Sequence, residues 1–296
     1  MPDTQVRAAE ERDFASTAAI TLATDQHDEW AGGNPAYVRH LMNHGRVVVA
    51  EVAGRVTGFG ATQRIGTGPE AVTVLCDLFV DPAAHGRGVG RAMLTELWSG
   101  ARRKQTFSSR PAHALPLYTS FGVDAWWPLL YLRGEPGRLA APPGWRAEAA
   151  GADQAAAYEH DWTGIDRAAD YQAWAARPGA ETVQVSSDQV RGETAVVAVG
   201  TVLRSGPETG IMRLATRPPA EGTAEGTGLD DSAAAAVLTA LAELASGSAN
   251  VCLPGPHPAV RALFAAGWRV TDFDLFMASE PGMLDPRRAV PSPSHG

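Results

Sequence analysis

Residues 81–93, "DPAAHGRGVGRAM", place glycine at three alternate positions, Gly86, Gly88 and Gly90. The run before them, "EAVTVLCDLFV" (70–80), is almost wholly apolar and reads as a strand buried in the middle of a sheet. The residues after them are amphipathic and predict a helix from about Gly88 to Arg103. A glycine-rich turn from a buried strand into a helix makes an anion site. Without Cβ atoms the backbone N–H groups can approach a ligand closely, and the helix N-terminus adds about half a positive charge. A diphosphate is the expected guest. The mononucleotide P-loop would need Gly-Lys-Ser/Thr after its spacers, and no such run is present. The dinucleotide fingerprint would need G-x-G-x-x-G in the first βα unit, whereas these glycines run G-x-G-x-G after several earlier β runs.

Upstream, "RVVVAEVAGRVTGFGATQRI" (46–65) reads as a Val-rich hairpin with Ala53-Gly54 at its turn. Downstream come a short strand at "TFSSR" (106–110), a short helix at "AHALPLYTSFG" (112–122) and a closing strand at "AWWPLLYLR" (125–133). Pro116 fits that helix only near its first turn, because an interior proline breaks a hydrogen bond. The order of elements then repeats. Val6 and Trp145, each opening a short strand, are 139 residues apart, and each strand is followed by a helix begun near an Asp, Asp13 or Asp153. The helix-ending glycines Gly122 and Gly267 are 145 apart, as are Glu135-Pro136-Gly137 and Glu280-Pro281-Gly282. This predicts a tandem duplication of one α/β domain: residues 1–134, a Gly/Pro-rich linker at 135–144, a second copy at 145–283, and a Pro/Ser-rich tail at 284–296 expected to be extended or disordered.

A length of 296 residues is consistent with two domains. The net charge of −8 argues against a nucleic acid as the main partner. Cys76 and Cys252 both lie in apolar runs and read as core residues, which fits a reducing compartment. The opening "MPDTQVRAAEERDF" has no apolar signal core, and no apolar run is long enough to span a membrane. A cytoplasmic protein without membrane attachment is expected. No metal-ligand spacing is present, and a lone His such as His113 or His257 carries no assignment.

His85-Gly86-Arg87-Gly88-Val89-Gly90 resembles the pantetheine-diphosphate loop Q/R-x-x-G-x-G/A of the GNAT acetyltransferase superfamily at every position but the first, where His85 replaces Gln or Arg. "DLFVDP" (77–82) is similar to that family's fourth strand and its exit. The resemblance covers residues 5–133 and, in weaker form, 145–279. It implies an α/β fold of two tandem GNAT-like domains, each a mixed, mostly antiparallel central sheet flanked by helices. It implies acetyl-CoA or another acyl-CoA as co-substrate, no metal, and direct acyl transfer to a small amine in a ternary complex. By the same resemblance, cofactor contacts fall on His85, Gly86, Arg87, Gly88, Val89, Gly90 and Arg91, and a backbone N–H at Phe79 or Val80 holds the acyl carbonyl. Tyr118, four residues before Gly122, matches the family's general acid. Asp77 is a candidate base or acceptor-binding group, since a carboxylate in an apolar strand is costly unless it works or is paired. The acceptor pocket maps onto "TDQHDEWAGGNPAY" (24–37) and the late strands, so His27, Asp28, Glu29, Trp30 and Trp126 are candidate substrate contacts. Two further readings are an acyl group taken from aminoacyl-tRNA or a carrier protein, and a non-catalytic acyl-CoA-binding module.

In the second copy, Gly226-Thr227-Gly228 overlies Gly88-Val89-Gly90, but Thr223 takes the first slot and Glu221, Glu225, Asp230 and Asp231 crowd the loop. Each acid close to a diphosphate costs about 1–4 kcal/mol. Leu263 stands where Tyr118 does and has no proton to give. The first domain is therefore expected to be the active one and the second degenerate.

Overall fold

The computed structural model describes residues 4–24, 34–109, 114–188, 194–218 and 230–293. The chain divides into two compact units. Unit 1 spans Met1–Asp124 with Met277–Glu280 and Pro293–Gly296, and unit 2 spans Ala125–Phe276 with Pro281–Ser292.

Unit 1 runs β1 (Thr4–Ala8), α1 (Phe14–Ala23), α2 (Pro35–His44), β2 (Gly45–Val52), β3 (Arg55–Ile65), β4 (Val72–Val80), α3 (Val89–Leu97), β5 (Arg103–Ser108) and α4 (Ala114–Thr119). Its strands lie in sequence order. β1 to β4 are antiparallel neighbours, and β5 joins β4 in parallel. The predicted hairpin turn holds Ala53 and Gly54 at φ of 53° and 75°, the left-handed pair that a two-residue hairpin loop requires. Asp13 precedes α1 but does not cap it with its side chain. Its carboxylate takes two hydrogen bonds from Arg7 and one from the Glu10 N–H. α1 and α2 pack Ile20, Tyr37, Val38 and Leu41 onto Val47, Val49 and Phe59 on one face of the sheet. α3 buries Met93, Leu94 and Leu97. It ends at Leu97, short of the predicted Arg103, because Gly100 takes φ of 72° and the chain enters β5 at Arg103.

Unit 2 repeats the plan with β6 (Asp124–Gly134), β7 (Trp145–Ala149), α5 (Ala152–Thr163), α6 (Ala168–Ala175), β8 (Ala180–Ser187), β9 (Ala195–Ser205), β10 (Glu208–Thr216), α7 (Asp230–Leu244), β11 (Ser248–Pro254), α8 (Ala259–Ala265) and β12 (Arg269–Ala278). β7 to β10 are antiparallel neighbours and β11 joins β10 in parallel, as β5 joins β4. The closing strands trade places. β6, which ends the first repeat in sequence, pairs antiparallel with β11 in unit 2. The last residues of β12 belong to unit 1, where the Ser279 N–H donates to the Lys104 carbonyl (2.9 Å). Each sheet needs a partner for its exposed edge, and either closing strand can supply one. The spatial division thus departs from the repeat boundary by one strand.

The linker at 135–144 contains a short turn of 3-10 helix, Pro136–Arg138, with Pro136 buried. Cys76 and Cys252 form no disulfide and are half-buried rather than fully buried. The tail, expected to be extended or disordered, is anchored at Val290, which forms an isolated antiparallel bridge with Leu214. Val290 is 1% exposed and belongs to the core of unit 2 with Leu214, Val260 and Leu263. A single buried apolar residue thus anchors what composition alone marks as loose. Among the described residues no helix is long and apolar enough to cross a membrane.

Candidate active site

β4 and β5 pair only over Val72–Leu75 with Arg103–Thr106 and then part. The gap between them is the root of a cavity of about 800 Å³ in unit 1. Alternate residues of a strand turn their main-chain groups to opposite neighbours. The Asp81 N–H donates to the Thr57 carbonyl (2.8 Å), and the Phe79 carbonyl likewise faces β3. The N–H and C=O of Leu78 and Val80 therefore face the gap. Of the two positions expected to present an amide, Val80 does so, whereas the main chain of Phe79 is engaged with β3.

The glycine turn closes one wall. Gly86 and Gly88 hold φ of 74° and 83°, backbone that L side chains rarely adopt, and a Cβ on either would meet nothing within 4 Å. The turn is thus glycine for its conformation and opens onto free space. Gly90, inside α3, is glycine for closeness: its Cβ would lie 3.3 Å from Leu117 Cδ2. Gly88 is the N-cap of α3, so the first-turn amides of Val89, Gly90 and Arg91 have no carbonyl within the helix to bond. His85 turns its ring back, and Nε2 lies 2.9 Å from the Val80 carbonyl. A carbonyl only accepts, so Nε2 carries the proton in this arrangement.

Phe79, Val80, His85, Gly86, Gly88, Val89, Gly90, Arg91 and Tyr118 all line the cavity. Tyr118, on α4 and 8% exposed, meets Trp98 edge-on at 6.0 Å between ring centroids. The Lys104 ammonium stands over the other ring of this pair, Trp98, and donates to the Phe121 carbonyl (2.8 Å), while the Arg91 guanidinium lies over Phe121. These contacts hold α4 beside α3, with Tyr118 in the cavity lining.

Three expected residues are not brought there. Arg87 is exposed and outside the lining. Asp77 is 7% exposed, opposite Ala61 on β3, and does not line the cavity. A bulge at Cys76, where the β3–β4 register shifts, sets Asp77 on the same face as Phe79, toward α1 and α2. Trp126 is 43% exposed, belongs to unit 2 and is absent from the lining. His27, Asp28, Glu29 and Trp30 lie outside the described residues, as do His113 and Gly226-Thr227-Gly228. Ala23 and Thr24 from the end of α1, Leu78, and Leu117 also line the cavity and were not singled out from sequence. Strand alternation implied Leu78; the end of α1 carried no signal.

Residues 43–123 match the model of the acetyltransferase (GNAT) domain. No curated protein matches the sequence. The fold is shared over 99% of this chain with 96% of a Pyrococcus horikoshii protein described as a candidate acetyltransferase, at a TM-score of 0.70 and 13% identity. A GNAT protein from Kribbella flavida matches 94% of this chain over 71% of its own, with a TM-score of 0.59 and 13% identity. A tandem GNAT protein from the clavulanic acid biosynthesis pathway matches 95% of this chain over all (100%) of its own, with a TM-score of 0.57 and 16% identity. At such identities the likeness to solved structures is one of fold. Residues 43–123 thus match the GNAT acetyltransferase domain, and the fold that carries them is shared with a tandem GNAT protein.

Proposed function

We propose that the chain is an acyl-CoA-dependent N-acyltransferase whose unit 1 holds the donor in the gap between β4 and β5, and that a small-molecule amine attacks the thioester directly in a ternary complex. The observation that carries this reading is a convergence: the free edge of β4 at Val80 and the amides of the Gly86–Arg91 turn open onto one cavity. When bound, a coenzyme A thioester supplies the activated acyl carbonyl and a diphosphate. The turn fits the diphosphate, because the space above Gly86 and Gly88 is free and Arg91 adds a cation at the lining. The Val80 N–H polarises the acyl carbonyl. Tyr118 donates its phenolic proton to the sulfur as the thiol leaves, a role worth about 10²–10⁴-fold. Asp77, on the α1–α2 face, takes the acceptor side, binding the ammonium or receiving its proton. His27, Asp28, Glu29, Trp30 and Trp126 remain the proposed acceptor contacts. Unit 2 serves as scaffold, and we place the enzyme in the cytoplasm.

The test is thermal unfolding with acetyl-CoA, followed by thiol release against a panel of small amines. At 100 times the dissociation constant the thioester should stabilise the fold by about 2.7 kcal/mol. Absence of any shift overturns the donor reading. A shift without thiol release for any amine overturns catalysis and leaves a binding module.

A further inference from the structure

Unit 2 carries its own copy of the parting strands, and the tail of the chain lies in it. β10 pairs with β11 over Glu208–Ile211, as β4 pairs with β5 over Val72–Leu75. Each strand is then bulged against its antiparallel neighbour, β10 between Ile211 and Arg213, β4 between Leu75 and Asp77. After the bulge the Arg217 N–H donates to the Val197 carbonyl (2.8 Å), the same bond that Asp81 makes to Thr57. The main-chain groups of Leu214 and Thr216 therefore face the gap beside β11, as those of Leu78 and Val80 face the gap beside β5.

In unit 1 that edge opens onto the cavity. In unit 2 it is paired. The Leu214 N–H donates to the Val290 carbonyl (3.1 Å), forming an antiparallel bridge between the two residues. The Thr216 hydroxyl donates to the Arg288 carbonyl (3.4 Å). The Arg288 guanidinium donates in turn to the Arg217 carbonyl. Val290 supplies the apolar anchor, buried with Leu214, Val260 and Leu263, the last standing on α8 where α4 carries Tyr118. The tail thus leaves the turn that the Arg288 and Ala289 N–H groups close on the Asp285 carbonyl, and meets the strand edge that corresponds to the donor's place in unit 1 through one main-chain bond at Leu214 and one side-chain bond at Thr216.

We infer that unit 2 retains a groove for an extended, amide-bearing chain of the pantetheine type, and that residues 288–290 occupy it as a tethered surrogate. The inference rests on reading the unit 1 gap as the donor's place. It separates two reasons for a silent second unit: the acidic loop rejects the diphosphate, and the tail fills the path of the arm. Displacing the tail opens the arm's path alone. The probe is therefore pantetheine, which has the two amides and no phosphate.

The experiment is residue-resolved hydrogen exchange on the full chain. In the wild type the Leu214 amide should be protected without ligand and unmoved by acetyl-CoA or pantetheine, while the Val80 amide gains protection with acetyl-CoA. In full-length Val290→Asp, which drives the tail out, Leu214 protection should fall about tenfold or more while the β9–β10 amides keep theirs. Millimolar pantetheine should restore protection at Leu214 in that variant. If Val290→Asp also loses the β9–β10 amides, Val290→Gly, which removes the anchor without burying a charge, carries the same measurement. Fast exchange at Leu214 in the wild type, or a freed Leu214 that pantetheine leaves unprotected, overturns the inference. A Val80 amide that ignores acetyl-CoA overturns the donor reading instead, and is scored separately.

Discussion

Gly88 shows how much one residue carries. Its φ of 83° and its place as N-cap of α3 make it both a conformational and a spatial requirement. Gly88→Ala should cost about 1 kcal/mol in unfolding free energy, because the added Cβ is strained in left-handed backbone. Gly88→Glu should also abolish stabilisation by acetyl-CoA, since a carboxylate then stands in the space meant for an anion. Gly226→Glu in the second repeat should leave that stabilisation intact; thermal scans of the two variants with and without acetyl-CoA check both. Tyr118→Phe should lower kcat by about 10²–10⁴-fold with the acetyl-CoA shift unchanged, and unaltered turnover would remove Tyr118 as the acid. Most residues named from sequence converge on the cavity because the motif that names them is a local turn. Asp77 does not, because a single-residue bulge sets its side chain on the face toward α1 and α2, and no periodicity in "VTVLCDLFV" announces a bulge.

At the scale of elements, the two units solve one packing problem with opposite charges. Asp77 follows the bulge of β4, and Arg213 follows that of β10. Arg213 donates two bonds of 2.6 Å each to Glu159 on α5, which is 1% exposed and also accepts from the Tyr171 hydroxyl (2.9 Å) on α6. Arg167 and Asp170 complete the buried network. Burial would raise the Glu159 carboxyl, but the Arg213 guanidinium, with Arg167 and Tyr171, holds it below the usual carboxylate range. Glu159→Ala leaves two buried guanidiniums without that counter-charge and should cost about 3–5 kcal/mol in urea unfolding. Replacing Glu159 by Gln, which keeps the volume and some hydrogen bonds, should cost less. Sequence reading placed the helix begun near Asp153 but gave no hint of this network, whose members are spread from Glu159 to Arg213 and meet only in the folded unit.

At the scale of the molecule, the tail couples to protonation. His257 is 2% exposed, its Nδ1 accepts from the Ala259 N–H, and its Nε2 finds no partner among the described residues. Burial, then the nearby cations Arg287 and Arg288, push its pKa down to about 4 from 6.5. The folded state thus favours the neutral ring, and the unfolded chain binds the extra proton. The stabilisation is fully present above about pH 6.5 and is lost as the pH falls toward 4. Urea unfolding at pH 7.5 and pH 5 should differ by about 2 kcal/mol from this group, and His257→Gln should flatten that slope. Protection of the Leu214 amide, relative to its intrinsic exchange, should fall only near pH 4, where the folded ring takes its proton beside Arg287 and Arg288.

The amino-acid sequence by itself determined the duplication, the order of the main strands and helices, and the glycine turn between β4 and α3. All of these are written in local patterns: alternation, apolar runs and glycines at fixed spacing. Tertiary structure decided that β6, which closes the first repeat in sequence, pairs with β11 of the second, because an open strand edge accepts a partner from anywhere in the chain. It also decided that Val80 rather than Phe79 offers its amide to the cavity, and that the tail is a core segment. Each of those outcomes depends on a partner far away in the chain, a strand edge or a bulge or an apolar anchor, and a linear pattern does not name its partner.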